Sequence, residues 1–452
     1  MKNTIPRRAF IKQGAFALAS TSLLSPLSAT SRPAKKVRLG FIGVGLRGRA
    51  HVESALMIPN VTVPAICDID PAAIAETQKL LRKAGLPAAK SYSNGETDFE
   101  NLVQRGDLDG VIIATPWRWH VPMAVSAMKA GKYVGLEVPA AITEEGAWEL
   151  VDVHESTGSH CMILENACYR RDILAILTMV RERRLGELIQ LECGYLHDLR
   201  AVKFNNGKQP YGGGVEFGEQ GFSEARWRTQ HSVDRNGDLY PTHGLGPMAE
   251  MVNINRGNQF DYLVSMATKS KGLHQYIVDN GGENHPNAKV AFKLGDVVRT
   301  MIKCANGETI TITHDTNLPR PYSLGYTVQG TRGIWRYKNE YEPNEIYLEH
   351  ETADHKWESF APYLDQYDHR LWKEYGEKAI QTGHDGIDYF VIKEFVDAIR
   401  DGVAPPMDVY DAAAWSVISP LSEKSISGGS IPVKIPDFTR GKWNSRKPVF
   451  GY

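Results

Sequence analysis

The stretch from Val37 to Ala50 has the sequence VRLGFIGVGLRGRA, an apolar run followed at once by three closely spaced glycines. Gly43, Gly45 and Gly48 form the pattern GxGxxG between a predicted strand and a predicted helix. Glycines at this spacing allow a tight turn, close approach of the backbone to a pyrophosphate, and close packing of the helix on the strand. The stretch therefore predicts a dinucleotide site at the first strand of a parallel sheet.

The residues that follow extend this unit. A second apolar run, Val61 to Cys67, ends at Asp68, an acidic residue at the position where ribose hydroxyls are bound. A carboxylate there disfavours the extra phosphate of NADP, so the predicted cofactor is NAD. Apolar strands continue to alternate with helices as far as the run from His160 to Leu164. This rhythm predicts an N-terminal doubly wound parallel sheet, with a dinucleotide-binding domain over residues 36–165.

The pattern changes after about Gly186, where strand-like runs occur with few helices between them. These runs predict an α+β domain over residues 166–431 with a mostly antiparallel open sheet, followed by a tail at 432–452 that lies over the surface. A loop-rich region from His197 to about Gly246 separates the first two runs, and a loop of that length is usually functional. The runs are Leu188 to Leu196, Tyr262 to Thr268, Val297 to Lys303, Thr309 to His314, and Gly325 to Gln329.

Residues 1–30 have the features of an export signal. The segment Arg7-Arg8-Ala9-Phe10-Ile11-Lys12 precedes a modest apolar run, which is typical of the twin-arginine route. That run is too short to anchor the protein in a bilayer, and no later segment is apolar enough to span one. We expect a soluble protein delivered by the twin-arginine export machinery to the periplasm. Because the NAD pool stays in the cytoplasm, the cofactor must be loaded before export and regenerated within each turnover.

Composition excludes several classes of partner. Lys and Arg total 52 against 53 for Asp and Glu, so there is no electrostatic case for binding nucleic acid or an anionic membrane. The five cysteines show neither CxxC nor metal-ligand spacing, which predicts buried free thiols and no metal site. An open sheet face makes a homo-oligomer an expectation that the sequence leaves open. The cysteines are Cys67, Cys161, Cys168, Cys193 and Cys304.

Several motifs of the N-terminal half resemble one superfamily. The signal, the glycine loop, Cys67 to Asp70, Ala114 to Pro116, and Tyr133 to Glu137 are together similar to the glucose-fructose oxidoreductase and inositol dehydrogenase superfamily. That superfamily usually carries Glu-Lys-Pro after this strand, and its lysine assists hydride transfer from a sugar hydroxyl. Here the triplet is Glu137-Val138-Pro139. The missing lysine disfavours ordinary dehydrogenase chemistry.

Longer blocks resemble the NAD-dependent glycosidases of glycoside hydrolase family 109, typified by α-N-acetylgalactosaminidases. The likeness runs from the signal to about Ser422. It implies release of terminal α-linked N-acetylgalactosamine by oxidation at C3, elimination, water addition and reduction, in place of the usual pair of carboxylates. The cofactor ends as it began, which suits an exported enzyme. The blocks are Trp117 to His120, Glu165 to Asp172, Pro210 to Phe217, Tyr240 to His243, and His314 to Tyr322.

The resemblance also implies roles for individual residues. Those implied to bind NAD, together with Gly43, Gly45 and Gly48, are Leu46, Arg47, Asp68, Trp117, Arg118, Trp119, His120, Glu137, Val138 and Asn166. Those implied to face the sugar are Tyr195, Arg226, Tyr240, His243 and Tyr322.

The chemistry requires two proton transfers, one from the C3 hydroxyl and one from C2. His243 is the expected base for the first, because an imidazole titrates near neutral pH. Tyr195 or Tyr240 is the expected base for the second, provided that a nearby cation lowers its pKa, and Arg226 is the candidate cation. Spacing does not decide between the two tyrosines. His197, Asp198 and Glu216 are polar residues of the same region to which we assign no role.

Two other functions remain open from the sequence. One is an exported NAD(P)-dependent sugar oxidoreductase of the glucose-fructose oxidoreductase type, which passes hydride to a second substrate. Accumulation of NADH with free sugar, or sugar-to-sugar transfer, would support it. The other is a catalytically silent sugar-binding protein that keeps NAD as a structural ligand, and turnover of any glycoside would exclude it.

Overall fold

The glycine-rich stretch connects the first strand, β1 (Val37–Ile42), to the first helix, α1 (Leu46–Leu56). These elements belong to a computed structural model that describes residues 35–339 and 341–452. The predicted export signal at residues 1–30 lies outside the described residues.

Strands and helices alternate through the rest of the N-terminal part. The elements are β2 (Val61–Cys67), α2 (Pro71–Lys83), β3 (Lys90–Tyr92), α3 (Phe99–Val103), β4 (Gly110–Ile113), α4 (His120–Lys129), β5 (Tyr133–Leu136), α5 (Glu144–Thr157) and β6 (Cys161–Ile163). Within the described residues they form a six-stranded sheet in the order β3-β2-β1-β4-β5-β6, and every strand pair is parallel. The predicted doubly wound sheet is confirmed. Its strand order reverses between β1 and β4, and the crevice at their carboxyl ends is the usual ligand site of such sheets.

The rest of the chain builds a second sheet with its own helices. The elements are α6 (Arg171–Arg181), β7 (Leu188–Leu196), α7 (Arg200–Lys203), α8 (Arg228–Asp234), α9 (Thr242–Met251), β8 (Phe260–Ala267), α10 (Gly272–Gly281), β9 (Val297–Cys304), β10 (Thr309–Asp315), β11 (Thr327–Gly330), β12 (Gly333–Arg336), β13 (Glu345–Leu348), β14 (Glu358–Ser359), α11 (Ala361–Gln366), α12 (Arg370–Ala379), α13 (Ile387–Asp401), α14 (Val409–Ser416), α15 (Ile418–Ser427) and β15 (Val433–Lys434).

Within the described residues this second sheet has nine strands, in the order β14-β13-β12-β11-β7-β10-β9-β8-β15. Strands β7 and β10 pair in parallel, whereas the other neighbours are antiparallel. The prediction of a mostly antiparallel sheet is therefore confirmed. Helices α9 and α15 pack against β7 and β8, while Met266 and Met301 are exposed on the sheet.

Two late helices pack against the N-terminal part of the chain. Helix α13 contacts α1, and helix α14 contacts α5 and β6. Buried side chains of the two parts form one continuous apolar cluster. Residues that the sequence assigns to the second domain thus complete the layers around the parallel sheet. The apolar periodicity of α13 predicts that one face of the helix is buried, but it does not predict which element packs against that face.

The region between β7 and α9 is less irregular than the sequence suggests, because it contains α7 and α8. The tail lies across both parts of the chain: β15 pairs with β8, and Arg440 and Lys442 form ion pairs with Asp152 and Glu155 of α5. No helix within the described residues has the length and apolar character needed to cross a membrane.

Candidate active site

A cavity of about 710 Å³ lies at the carboxyl ends of β1 and β4, where the order of the parallel sheet reverses. One end is lined by Asp68 and Glu96, and the other by side chains of the second sheet and its loops. Both parts of the chain therefore contribute walls to one continuous space. Among the residues that line it are Gly43, Gly45, Leu46, Arg47, Trp117, Arg118, Trp119, His120, Glu137, Val138, Asn166, Tyr195, His197, Arg228, Tyr240, His243 and Tyr322.

The three glycines of the loop are needed for different structural reasons. Gly43 has a φ of +80°, and a Cβ there would lie 2.5 Å from the carbonyl oxygen of Ala114. A Cβ at Gly48 would lie 1.9 Å from the carbonyl oxygen of Gly43, so these two positions exclude any side chain for packing reasons. A Cβ at Gly45 would meet nothing within 4 Å, although Gly45 lines the cavity.

The space beside Gly45 has the properties of a pyrophosphate cradle. Gly45 is the N-cap of α1, and no side chain caps the first amides of that helix. Unpaired amides at a helix N-terminus attract negatively charged groups. The residues present thus fit the diphosphate of a dinucleotide.

Asp68 is fixed at the adenosine end of the cavity. Its Oδ2 accepts a hydrogen bond from the amide of Val44 at 2.7 Å, and its Oδ1 accepts one from the amide of Asp70 at 2.9 Å. Burial raises the pKa of Asp68, although these amide contacts oppose the effect. The carboxylate is thereby held next to the glycine loop, where ribose hydroxyls of a dinucleotide can donate to its remaining lone pairs.

Arg47 links the glycine loop to both parts of the chain. Its Nε lies 2.5 Å from Oε1 of Glu137, and its Nη1 lies 2.7 Å from Oδ2 of Asp388 on α13. His51 also contacts Glu137, with Nε2 2.6 Å from Oε1, and Asn166 donates to Oδ1 of Asp388 at 2.8 Å. Burial alone would raise the pKa of both carboxyl groups, but Arg47, together with His51 at Glu137 and His384 at Asp388, outweighs it and holds each pKa below its ordinary range. Glu137, Arg47 and Asp388 form a charged clamp beside the glycine loop.

The segment from Trp117 to His120 lines the middle of the cavity. Trp117 is buried and stacks on Tyr240 with ring centroids 5.6 Å apart. Arg118 pairs with Glu96 at 3.0 Å, and both side chains are exposed. The ring nitrogens of His120 lie 2.8 Å from the carbonyl oxygens of Pro139 and Thr115. His120 therefore links the segments that follow β4 and β5. Trp117 lies between the dinucleotide-binding end of the cavity and the end that contains Tyr240.

At the other end, aromatic residues from three chain segments converge. Tyr195 lies at the end of β7, Tyr240 precedes α9, His243 lies in the first turn of α9, and Tyr322 follows β10. The ring centroids of Tyr195 and Tyr240 are 4.9 Å apart, and those of Tyr240 and His243 are also 4.9 Å apart. Aromatic faces with hydroxyl groups at their tips suit a sugar, which presents apolar C–H faces and polar edges.

The cation of this cluster is Arg228, and the prediction of Arg226 is corrected. Arg226 is exposed and does not line the cavity. Arg228 is buried at the start of α8, with its guanidinium 4.8 Å from the ring of Tyr240, and its positive charge partly offsets the rise that burial causes in the pKa of Tyr195. Arg226 ends a short 3-10 turn (Ser223–Arg226) and Arg228 begins α8, so the change of backbone direction between these two elements decides which arginine faces inward.

The expected effect of this cation on the tyrosines is also corrected. Burial raises the pKa of Tyr195 and of Tyr240, and the opposing influence of Arg228 is smaller. Glu224, 2.5 Å from Arg228, further weakens that influence. Both phenols are therefore protonated at neutral pH.

His243 has a buried carboxylate partner that the sequence analysis did not assign. Its Nδ1 lies 2.7 Å from Oε1 of Glu165, which is fully buried directly after β6. A carboxylate accepts hydrogen bonds, so Nδ1 carries the proton of the neutral ring and Nε2 is left as the basic nitrogen. Tyr326 donates to the carbonyl oxygen of His243 at 2.5 Å and fixes the start of α9. An acidic residue at the carboxyl end of a parallel strand was the signal that could have revealed Glu165.

His197, Asp198 and Glu216, to which no role was assigned, lie in different surroundings in the structure. His197 lines the cavity, and its Nδ1 lies 3.1 Å from the Tyr195 hydroxyl. Asp198 pairs with Arg200 at 2.7 Å, and Glu216 lies 3.3 Å from His285. Among the described residues, no group of three or more His, Cys, Asp or Glu side chains could hold a metal ion.

The fold and this cavity define a class of protein: a Rossmann-type NAD enzyme whose second, α+β part closes over the cofactor. Residues 37–164 match the family described as the oxidoreductase family with an NAD-binding Rossmann fold. Residues 169–445 match the C-terminal domain of glycosyl hydrolase 109. The chain belongs to glycosyl hydrolase family 109 and is an NAD-dependent glycoside hydrolase.

Individual relatives agree with this assignment. The chain is 54% identical over 418 residues to a protein from Tannerella forsythia named alpha-N-acetylgalactosaminidase, covering 92% of this chain and 88% of that protein. It is 50% identical over 470 residues to a glycosyl hydrolase family 109 protein from Parabacteroides distasonis, covering 100% of both. Its fold is similar to that of a levoglucosan dehydrogenase in complex with NADH and L-sorbose, with a TM-score of 0.67 and 22% identity over 89% of this chain and 100% of that one.

Proposed function

We propose that the protein releases terminal N-acetylgalactosamine from α-linked glycosides by oxidation at C3, elimination, addition of water, and reduction. The observation that carries the proposal is one cavity that joins a dinucleotide cradle to the Glu165–His243 pair and to Tyr195 with Arg228. Val138 stands where the resembling dehydrogenases have lysine, so this cavity lacks their usual acid-base group. The name of the relative from Tannerella forsythia supports the substrate.

The first step removes hydrogen from C3 of the sugar. NAD, when bound, supplies the acceptor for a hydride from C3 and later returns the hydride to the same carbon. The Nε2 of His243 accepts the proton of the C3 hydroxyl, and Glu165 on Nδ1 stabilises the imidazolium that results. The same imidazolium returns the proton when C3 is reduced.

The second step breaks the glycosidic bond. A ketone at C3 makes the C2 proton acidic, and Tyr195 is the group that we assign to remove it, because attraction to Arg228 favours negative charge on its oxygen. The electron pair of the C2–H bond forms a C1–C2 double bond, and the aglycone leaves C1 with the pair of the C1–O bond. Water then adds across the double bond, with its oxygen at C1 and a proton at C2.

Hydrolysis of p-nitrophenyl α-N-acetylgalactosaminide in D2O tests this route. After back-exchange in water, the released sugar should keep one deuterium, at C2. The same glycoside deuterated at C3 should react more slowly, because the C3–H bond breaks. Free N-acetylgalactosamine incubated with the enzyme is the control for exchange after release.

Sugar without deuterium, together with an absent C3 isotope effect, would instead indicate direct displacement. Accumulation of NADH with no aglycone released would indicate the oxidoreductase alternative.

We also propose that the protein is exported to the periplasm by the twin-arginine route with NAD already bound. The Arg7-Arg8 motif supports this proposal, as do the five cysteines, which are all free and buried. A fully folded protein is what this route carries, and it is the form in which the cavity can hold NAD. Arg7→Lys with Arg8→Lys should leave active enzyme in the cytoplasm. Equal periplasmic activity of an NAD-loaded enzyme delivered by an unfolded-chain signal would contradict preloading.

A further inference from the structure

His197 contacts the hydroxyl group at the centre of the sugar end. Its Nδ1 lies 3.1 Å from the Tyr195 hydroxyl oxygen, and its ring packs edge-on against Tyr322 with centroids 4.8 Å apart. Its own amide donates to the carbonyl oxygen of Asp315 at 2.9 Å, which fixes the backbone just beyond β7. The imidazole is therefore held in the cavity wall, next to the tyrosine to which removal of the C2 proton is assigned.

The direction of this hydrogen bond follows from the chemistry of its neighbours. A guanidinium can only donate, so Arg228 offers no acceptor for the hydroxyl proton of Tyr195. The hydroxyl proton of Tyr195 must then point to an acceptor, and Nδ1 of His197 lies within hydrogen-bond distance. This arrangement places the ring proton of neutral His197 on Nε2.

The surroundings keep His197 neutral. Burial lowers the pKa of His197 to about 4, with Arg228 and His243 acting in the same direction, while Asp198 and Glu224 oppose them. Tyr195 and Tyr322 complete the polar groups around the ring. At neutral pH the imidazole has a free lone pair on Nδ1 and can accept a proton.

We propose that His197 is a positioning residue that accepts the Tyr195 hydroxyl proton while Tyr195 takes the proton of C2. The inference rests on the proposed function, in which Tyr195 acts at C2. In one relay the C2–H bond and the old O–H bond of Tyr195 break, and a new O–H bond and an Nδ1–H bond on His197 form. The C2–H electron pair enters the C1–C2 double bond. After elimination the Tyr195 hydroxyl exchanges its proton with solvent, and when water adds, Tyr195 gives a solvent-derived proton to C2 while the proton on His197 returns to Tyr195.

The relay answers a difficulty that the geometry creates for tyrosine as a base. A phenolate is unfavourable in this buried site, because burial raises the pKa of Tyr195 and Arg228 only partly compensates. In the relay Tyr195 never carries a full negative charge. The charge change falls on the imidazole, which lies near the carboxylates of Asp198 and Glu224.

Two substitutions of the same residue test the inference. His197→Phe removes the acceptor, and His197→Asn keeps a group that can hold the Tyr195 hydroxyl but cannot take its proton. In both variants, substrate should still reduce bound NAD, at a rate within about twofold of the wild type. Aglycone release should fall on the order of 100-fold, NADH should accumulate, and deuterium at C2 should slow the reaction more than it slows the wild type. His274→Asn, at an exposed position, is the matched control.

Each other outcome overturns the inference. If the Asn variant releases aglycone nearly as fast as the wild type, His197 only orients Tyr195. If neither variant reduces NAD while both still contain it, His197 belongs to the C3 step. NAD content and thermal unfolding show whether each variant is folded, and the Asn variant decides the matter if the Phe variant is not. Failure of the proposed function would be visible separately, since the wild type would then incorporate no deuterium at C2.

Discussion

The two ends of the cavity use charge differently. At the cofactor end, the charged side chains pair with one another. Arg47 contacts both Glu137 and Asp388, and these ion pairs keep all three side chains charged. At the sugar end, the groups to which we assign proton transfer are phenols and imidazoles, such as Tyr195 and His243. Binding a permanent anion requires permanent charges and dipoles. Catalysis of proton transfer requires groups that change charge during the reaction.

The two ends also differ in how the chain builds them. The glycine loop, from Gly43 to Gly48, is one continuous motif, and Asp68 follows at the end of the next strand. The sugar end takes side chains from β7, α8, α9 and the loop after β10. Substitutions should therefore separate binding of the cofactor from chemistry on the sugar.

The largest effect is expected at the sugar end. His243→Phe removes the basic nitrogen that Glu165 orients, so turnover should fall by about 1000-fold or more. Bound NAD should remain, because His243 makes no contact with the charged clamp. Initial rates and the NAD released on denaturation are the measurements. His274→Phe, at an exposed site, is the control, and substantial turnover by the His243 variant would contradict the assignment.

At the cofactor end, the largest effect should be on stability. Arg47→Met leaves Glu137 and Asp388 buried without their cation, which should lower the free energy of unfolding by about 3 kcal/mol. This value is at the low end of the usual cost of removing one partner from a buried ion pair, because the Arg47 side chain is 27% exposed. Urea unfolding at pH 7 measures the change. Arg38→Met removes a more exposed pair with Asp109 and should cost less than about 1 kcal/mol.

The same clamp predicts a pH dependence. The pKa values of Glu137 and Asp388 lie below their ordinary values in the folded protein. Their contribution to stability is therefore complete above the unfolded carboxyl pKa of about 4 and is lost as the pH falls through the lower folded values. Wild-type stability should decline below about pH 4, and the Arg47 variant should decline less. Parallel pH profiles of the two proteins would show that these carboxylates are not the groups involved.

Within the glycine loop, two substitutions should separate folding from binding. Gly48→Ala puts a methyl group against the carbonyl oxygen of Gly43 and should cost about 2 kcal/mol of stability. Gly45→Ala meets no atom of the protein and should leave the unfolding of the NAD-free protein unchanged. It should nevertheless weaken NAD retention, because the methyl group enters the pyrophosphate cradle. Thermal unfolding and NAD content distinguish the two, and equal destabilisation by both would contradict this division.

The smallest effect is expected at the arginine that the sequence analysis chose. Arg226→Ala changes an exposed side chain outside the cavity, so stability should change by less than about 0.5 kcal/mol and turnover should be unchanged. Arg228→Ala is the matched variant, and it should lose turnover because it removes the positive charge that partly offsets the raised pKa of Tyr195. Steady-state kinetics of both variants would decide which arginine acts at the sugar end.

Much of this protein could be predicted from neighbouring residues. The GxGxxG pattern and Asp68 indicated the parallel sheet and NAD, because both depend on a local strand–turn–helix geometry. Tyr195, Tyr240, His243 and Tyr322 were assigned to the sugar side through a family resemblance, and the structure brings all four into one cavity. The glycine loop is visible in sequence because its residues are close in the chain, whereas the four sugar-side residues are far apart in the chain and only the resemblance connected them.

The partners of these residues were decided by the tertiary structure alone. Glu165 reaches His243 across 78 residues, and Asp388 reaches Arg47 across 341. The inward direction of Arg228 depends on how the chain passes from a short 3-10 turn into α8. A sequence of this kind determines which groups are available and which strands and helices present them. Which two groups meet, and which of them gains or loses a proton, depends on long-range packing and on the burial that packing produces.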